Sequence, residues 1–154
     1  MDRKGFTLIE LLAVIVLIGV LGVLIVPGLL NNVNDAKEAS YNTLIKNIIT
    51  SSEMYYEECE YGDLSDTEKY KSYACKIENN SITTTLGTLT NTGFLKTNNI
   101  DEETKLKKVI NPINDKDISD CKINIIKKVN PSTYKVTYQI VNADTNEICP
   151  NTYE

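Results

Sequence analysis

Residues 6–30 read FTLIELLAVIVLIGVLGVLIVPGLL, and the single charge in that run, Glu10, decides how the rest of the chain is understood. From Leu11 to Leu30 there are twenty uncharged residues. As a helix rising about 1.5 Å per residue they extend about 30 Å, the hydrocarbon thickness of a bilayer. A membrane-spanning helix is expected. An ionised carboxylate costs about 2.5 to 3.5 kcal/mol at the centre of a bilayer and less near its edge, so an acid placed there is functional by default and has a nameable partner. Arg3 and Lys4 precede the run, whereas Asp35, Lys37 and Glu38, of mixed sign, follow it. The positive-inside rule therefore keeps the N-terminus in the cytoplasm and exports residues 31–154.

The stretch Arg3-Lys4-Gly5-Phe6-Thr7-Leu8-Ile9-Glu10-Leu11-Leu12 resembles the leader-peptide junction of the type IV pilin superfamily. The resemblance implies that a prepilin peptidase cuts after Gly5, that Phe6 becomes the first mature residue and is N-methylated, and that Glu10 meets the Phe6 amine of a neighbouring subunit. It also implies a homopolymer, raised by a platform membrane protein and a cytoplasmic ATPase. The precursor is then a single-pass protein of the cytoplasmic membrane, and the product an extracellular pilus. Two plainer readings compete. A secretory signal peptide has an apolar region of about 7 to 15 residues and a small-residue cleavage site, which Val26-Pro27-Gly28-Leu29-Leu30-Asn31 lacks. A simple anchor explains the length and orientation but gives no reason for Gly5 or Glu10.

Composition limits the exported part. The 92 residues after Gly62 suffice for one small domain and not for two. With no His in the chain, imidazole bases and ligands are unavailable and Ser-His or Cys-His hydrolases are excluded, so an enzyme is not expected. The net charge of −5 gives no strong nucleic-acid signal. Cys59, Cys75, Cys121 and Cys149 all lie on the exported side and read as disulfides. Three connectivities are open, and local pairing of Cys59 with Cys75 and Cys121 with Cys149 is favoured because each ties down an element with little other anchorage. Spacings of 16, 46 and 28 contain no C-x-x-C knuckle for zinc. No metal or other cofactor is expected. The cluster Asp63-x-x-Asp66-x-Glu68 lacks the glycine and terminal glutamate of an EF-hand loop and reads as a helix cap. Turn chemistry accounts for Asn142, Asp144 and Asn146.

The helix is predicted to continue past the apolar run. Val33, Ala36, Ser40, Leu44, Ile48, Ser52, Tyr55 and Cys59 recur on one face, with Ile45, Ile49 and Tyr56 beside them, and nothing breaks the pattern before Gly62. The division is a leader 1–5, an apolar helix 6–30, an amphipathic stem 31–61 and a head 62–154. Gly19, Gly22 and Pro27 are poor helix residues. Ordinary membrane tolerance explains them, and the resemblance adds that this stretch loses helical structure when neighbouring helices replace the bilayer.

In the head, residues 63–80 read as a solvated connection with a short helix from about Asp66 towards Cys75. Leu86-Gly87-Thr88-Leu89-Thr90-Asn91-Thr92-Gly93-Phe94-Leu95 is a short helix or turn ended by Gly93, similar to a turn of Gram-positive pilin-like proteins. Residues 122–128 and 133–141 read as antiparallel strands joined at Asn130-Pro131-Ser132, followed by a third strand at Glu147-Ile148-Cys149. The expected fold is α+β, a long N-terminal helix packed on a small antiparallel sheet in the manner of the pilin lollipop. The implied function is a filament subunit. Alternatives are a pseudopilin of a competence or type II-like secretion system and a membrane-tethered binding domain.

Overall fold

A computed structural model describes residues 6–62, 75–144, 149–150 and 153, with the side chains of 24–31 excepted. Gly5, the acidic cluster at 63–68, the short helix expected from Asp66, and residues 147 and 148 of the expected third strand lie outside the described residues. The chain divides into two compact units, Met1–Ala39 and Ser40–Glu154.

One helix, α1, runs Leu8–Tyr61 over 54 residues. In the first unit its large apolar side chains from Phe6 to Val23 are each exposed by 46–82%. Among the described residues no helix is long and apolar enough to cross a membrane, and the described side chains of the apolar run stop at Val23. The backbone stays helical through Gly19, Gly22 and Pro27. A Cβ at Gly19 or Gly22 would meet nothing within 4 Å, so packing within the chain does not demand glycine there.

In the second unit, α1 buries Ile45, Ile48, Ser52, Tyr55 and Tyr56, which at helical spacing form one stripe. The stripe is shorter than the sequence period. Val33, Ala36 and Ser40 are exposed, and the buried positions of α1 begin at Ile45. Gly62 ends the helix by donating its N–H to the Glu58 carbonyl at 2.7 Å, and a Cβ there would collide with that oxygen.

The sheet contains β1 (Ser81–Thr85), β2 (Lys122–Val129) and β3 (Val136–Asn142), in that order and antiparallel throughout. Between β1 and β2 lies a short helix, α2 (Leu86–Asn91), capped by Thr85 and followed by Gly93 at φ 92°. Ile82, Ile123, Ile125 and Ile140 form the sheet's buried face, joined by Leu86, Leu89, Leu95, Val109 and Ile118. The expected pairing of β2 with β3 is present, but β1 on the far side of β2 was not expected. Its sequence, Ser-Ile-Thr-Thr-Thr, is short and mostly polar and alternates with only one strong hydrophobe. β3 starts three residues later than expected because the turn is longer than Asn130-Pro131-Ser132.

That longer turn is one of three built alike. In Asp101–Leu106, Asn111–Lys116 and Asn130–Lys135 the first residue's N–H donates to the sixth carbonyl, at 2.8, 2.9 and 2.9 Å. The fifth residue's N–H donates to the first carbonyl, at 3.0, 2.9 and 2.8 Å. The Asp or Asn side chain accepts N–H bonds inside each turn. The fifth residues, Lys105, Asp115 and Tyr134, have φ of 59°, 57° and 55°. The first two turns close consecutive ten-residue hairpins, bracketed by Asn99 with Lys108 and by Val109 with Ile118.

An L-residue in the left-handed region costs about 1 to 2 kcal/mol, and glycine's extra backbone entropy costs about 0.5 to 1. Tyr134 is 81% exposed, so Tyr134→Gly is expected to stabilise the head by several tenths of a kcal/mol to about 1. A thermal midpoint below that of the wild type overturns this.

All four cysteines are paired. Cys59–Cys75 and Cys121–Cys149 have Cα separations of 5.5 and 5.6 Å. The second pair brings the C-terminal tail to the core, where Tyr153 is 4% exposed and its hydroxyl has no hydrogen-bond partner among the described residues. Burial pushes that phenol above its usual range.

Candidate functional site

The chemistry named by the sequence begins at the first turn of α1. An α-helix leaves its first N–H groups unpaired, and a Thr followed three residues later by Glu can satisfy two of them reciprocally. Thr7 and Glu10 do this. The Thr7 N–H and Oγ1–H both donate to Glu10 Oε2 at 2.8 Å, and the Glu10 N–H donates to Thr7 Oγ1 at 3.4 Å. The carboxylate also sits at the positive end of the helix dipole, which favours its charge. Both Thr7 bonds fall on Oε2, and among the described residues Oε1 has no bond. Oε2 therefore holds the helix start, at a position flanked by exposed apolar side chains. Phe6, 80% exposed, lies four residues before Glu10. The sequence reading singled out Phe6 and Glu10 and missed Thr7, although the T-x-x-E spacing was a legible signal.

The other residues singled out do not converge on this point. Gly19, Gly22 and Pro27 lie further along α1, and the four cysteines staple the head.

A second polar cluster anchors the end of α1. Its last turns carry Glu57, Glu58 and Glu60 with no base in the final turn, an arrangement the helix dipole disfavours. Lys127 of β2 supplies the missing cation. Its Nζ lies 2.5 Å from Glu60 Oε2 and 3.1 Å from the Tyr61 hydroxyl, and 5.2 Å from the Tyr61 ring centroid. The Glu60 carboxylate, then the Tyr61 hydroxyl, hold the ammonium above its usual range. On β3 the Tyr138 hydroxyl donates to Glu57 at 3.3 Å, and burial, then the Glu57 charge, push it up to about 12. This cluster fixes helix to sheet and presents no nucleophile with a base. Among the described residues no group of acids or cysteines could hold a metal ion.

Residues 1–26 match the family described as the prokaryotic N-terminal methylation motif. No curated protein and no solved structure matches the chain. The matched segment contains Gly5, Phe6, Thr7, Glu10, Gly19 and Gly22 and ends just short of Pro27.

Proposed function

We propose, for a chain whose first 26 residues mark it as a type IV pilin-like prepilin, that it is the structural subunit of a type IV pilus or pilus-like surface filament. The observation that carries this reading is the methylation motif coinciding with the Thr7–Glu10 arrangement at the start of a long helix with an unburied apolar surface.

In this reading residues 1–5 are removed by a prepilin peptidase, Phe6 is methylated, and residues 6–30 hold the precursor in the cytoplasmic membrane with the head outside. A platform protein and an ATPase then draw the subunit into the filament. There Glu10 Oε1 receives the Phe6 ammonium of a neighbour, and the Gly19 to Pro27 stretch loses helical structure.

A peptidase that reaches the bond after Gly5 leaves little room for a side chain at that position. The wild-type protein is expected to begin at methylated Phe6 by N-terminal sequencing and intact mass, and Gly5→Arg is expected to accumulate as full-length precursor in the membrane fraction. A Gly5→Arg protein that still begins at Phe6 overturns the junction. Immunogold labelling of sheared fibres with antibody to the head then separates a long surface filament from the short fibre of a secretion or competence system.

A further inference from the structure

We infer that the outward face of the three-stranded sheet is a binding surface for an anionic polysaccharide. Side chains alternate across a strand, and Ile82, Thr84, Ile123, Ile125 and Ile140 occupy the buried face, so the intervening positions point away from the core. The register arranges those positions in rows. Thr85 lies beside Lys122, Thr83 and Val141 flank Asn124, Ser81 and Gln139 flank Ile126, and Thr137 lies beside Lys128.

The chain carries 21 acids and 16 bases, yet these outward positions hold two lysines and no acid. Among the described residues neither Lys122 nor Lys128 has an ion-pair partner, whereas Lys76, Lys108 and Lys127 each have one. Of the acids flanking the strands, Glu78 is paired with Lys76, Asp120 lies before the start of β2, and Asp144 lies past the end of β3, its N–H donating to Asn142 Oδ1 at 2.8 Å.

The two lysines sit six positions apart on one strand, about 20 Å along the backbone at roughly 3.3 Å per residue. Between them the face offers the hydroxyls and amides of Thr83, Asn124 and Gln139, with Ile126 and Val141 half-buried at the centre. Spaced cations over a flat field of hydroxyls and amides complement a polymer of spaced anions and many hydroxyl groups. The face has no aromatic ring on which a nucleic-acid base could stack, so a single-stranded nucleic acid fits it less well.

The test uses the full chain in detergent on heparin-agarose, with neutral dextran-agarose as the control resin. Lys122→Gln/Lys128→Gln is compared with Lys105→Gln/Lys116→Gln, which removes the same charge from the exposed hairpin turns. Wild-type protein is expected to bind heparin and not dextran. The sheet variant is expected to bind about tenfold more weakly, as two exposed charge contacts warrant, and the hairpin variant within about twofold of wild type, with thermal midpoints unchanged. Equal loss in both variants, equal retention on dextran, or duplex DNA displacing the protein at lower concentration than free heparin overturns the proposal. The assay reads the isolated subunit, so its outcome does not depend on whether the protein polymerises.

Discussion

Replacing Glu10 with valine is expected to reduce sheared filaments at least tenfold while leaving membrane insertion and cleavage after Gly5 largely intact. A carboxylate near the edge of the apolar run carries an insertion cost that valine removes, so before assembly the acid serves the helix start through Thr7 and not insertion. The Phe6 α-amine, with an ordinary pKa of about 7.7 to 8.0, is mostly cationic at neutral pH and remains basic when methylated. In the proposed filament, pairing two ions away from water costs desolvation on both sides, so the pair is expected to fix register and recruit the incoming subunit more than to add stability.

The Thr7–Glu10 bonds make a second variant decisive. Glu10→Gln keeps an oxygen that can accept from Thr7 and cap the helix, but it has no charge. If charge recruits the neighbour, Gln behaves like Val. Wild-type filament yield from the Gln variant would mean that the cap alone matters, and wild-type yield from Glu10→Val as the sole subunit would remove the assembly role altogether.

Loss of the Cys121–Cys149 bridge is expected to destabilise the head by about 3.5 kcal/mol, since cross-links across longer loops constrain the unfolded chain more. The sequence separation is 28, against 16 for Cys59–Cys75, whose removal is expected to cost about 3 kcal/mol. Against a total of about 5 to 15 kcal/mol for a domain, either loss is severe. Removing the longer bridge also loosens the tail that carries Tyr153 into the core. Denaturant midpoints of Cys121→Ser/Cys149→Ser, with the other bridge intact, check this, and a change below about 1 kcal/mol refutes it.

The long helix was legible because its two signals, a charge-free run and then a 3.6-residue period, persist over many turns. Its true buried extent was not, since Val33, Ala36 and Ser40 keep the period yet are exposed. Strands β2 and β3 declared themselves through Ile123, Ile125, Tyr138 and Ile140. β1 did not, because Thr83 and Thr85 face outward and Thr84, though buried, is polar. The hairpins from Asn99 to Ile118 were unread because their turns depend on residues in the left-handed region that are not glycine, and Lys105 and Asp115 give no sequence sign of that conformation. In the candidate site, Glu10 was conspicuous as a charge among hydrophobes. Thr7 was inconspicuous because threonine is unremarkable until the helix start is known.

The paired ten-residue hairpins also bear on the order in which the head is built. Each closes its own backbone bonds over a handful of residues, and hairpins of this size form in about 1 to 10 μs, whereas disulfides form over seconds to hours. The head thus has a locally determined piece whose closure is faster than the formation of either bridge. It presents the Ser119 carbonyl, which accepts from the Gly87 N–H at 2.7 Å, and the Cys121 carbonyl, which accepts from the Leu86 N–H at 3.1 Å. Those contacts seat α2, and with it β1 is brought beside β2. On these timescales oxidation is expected to follow the closure of the hairpins.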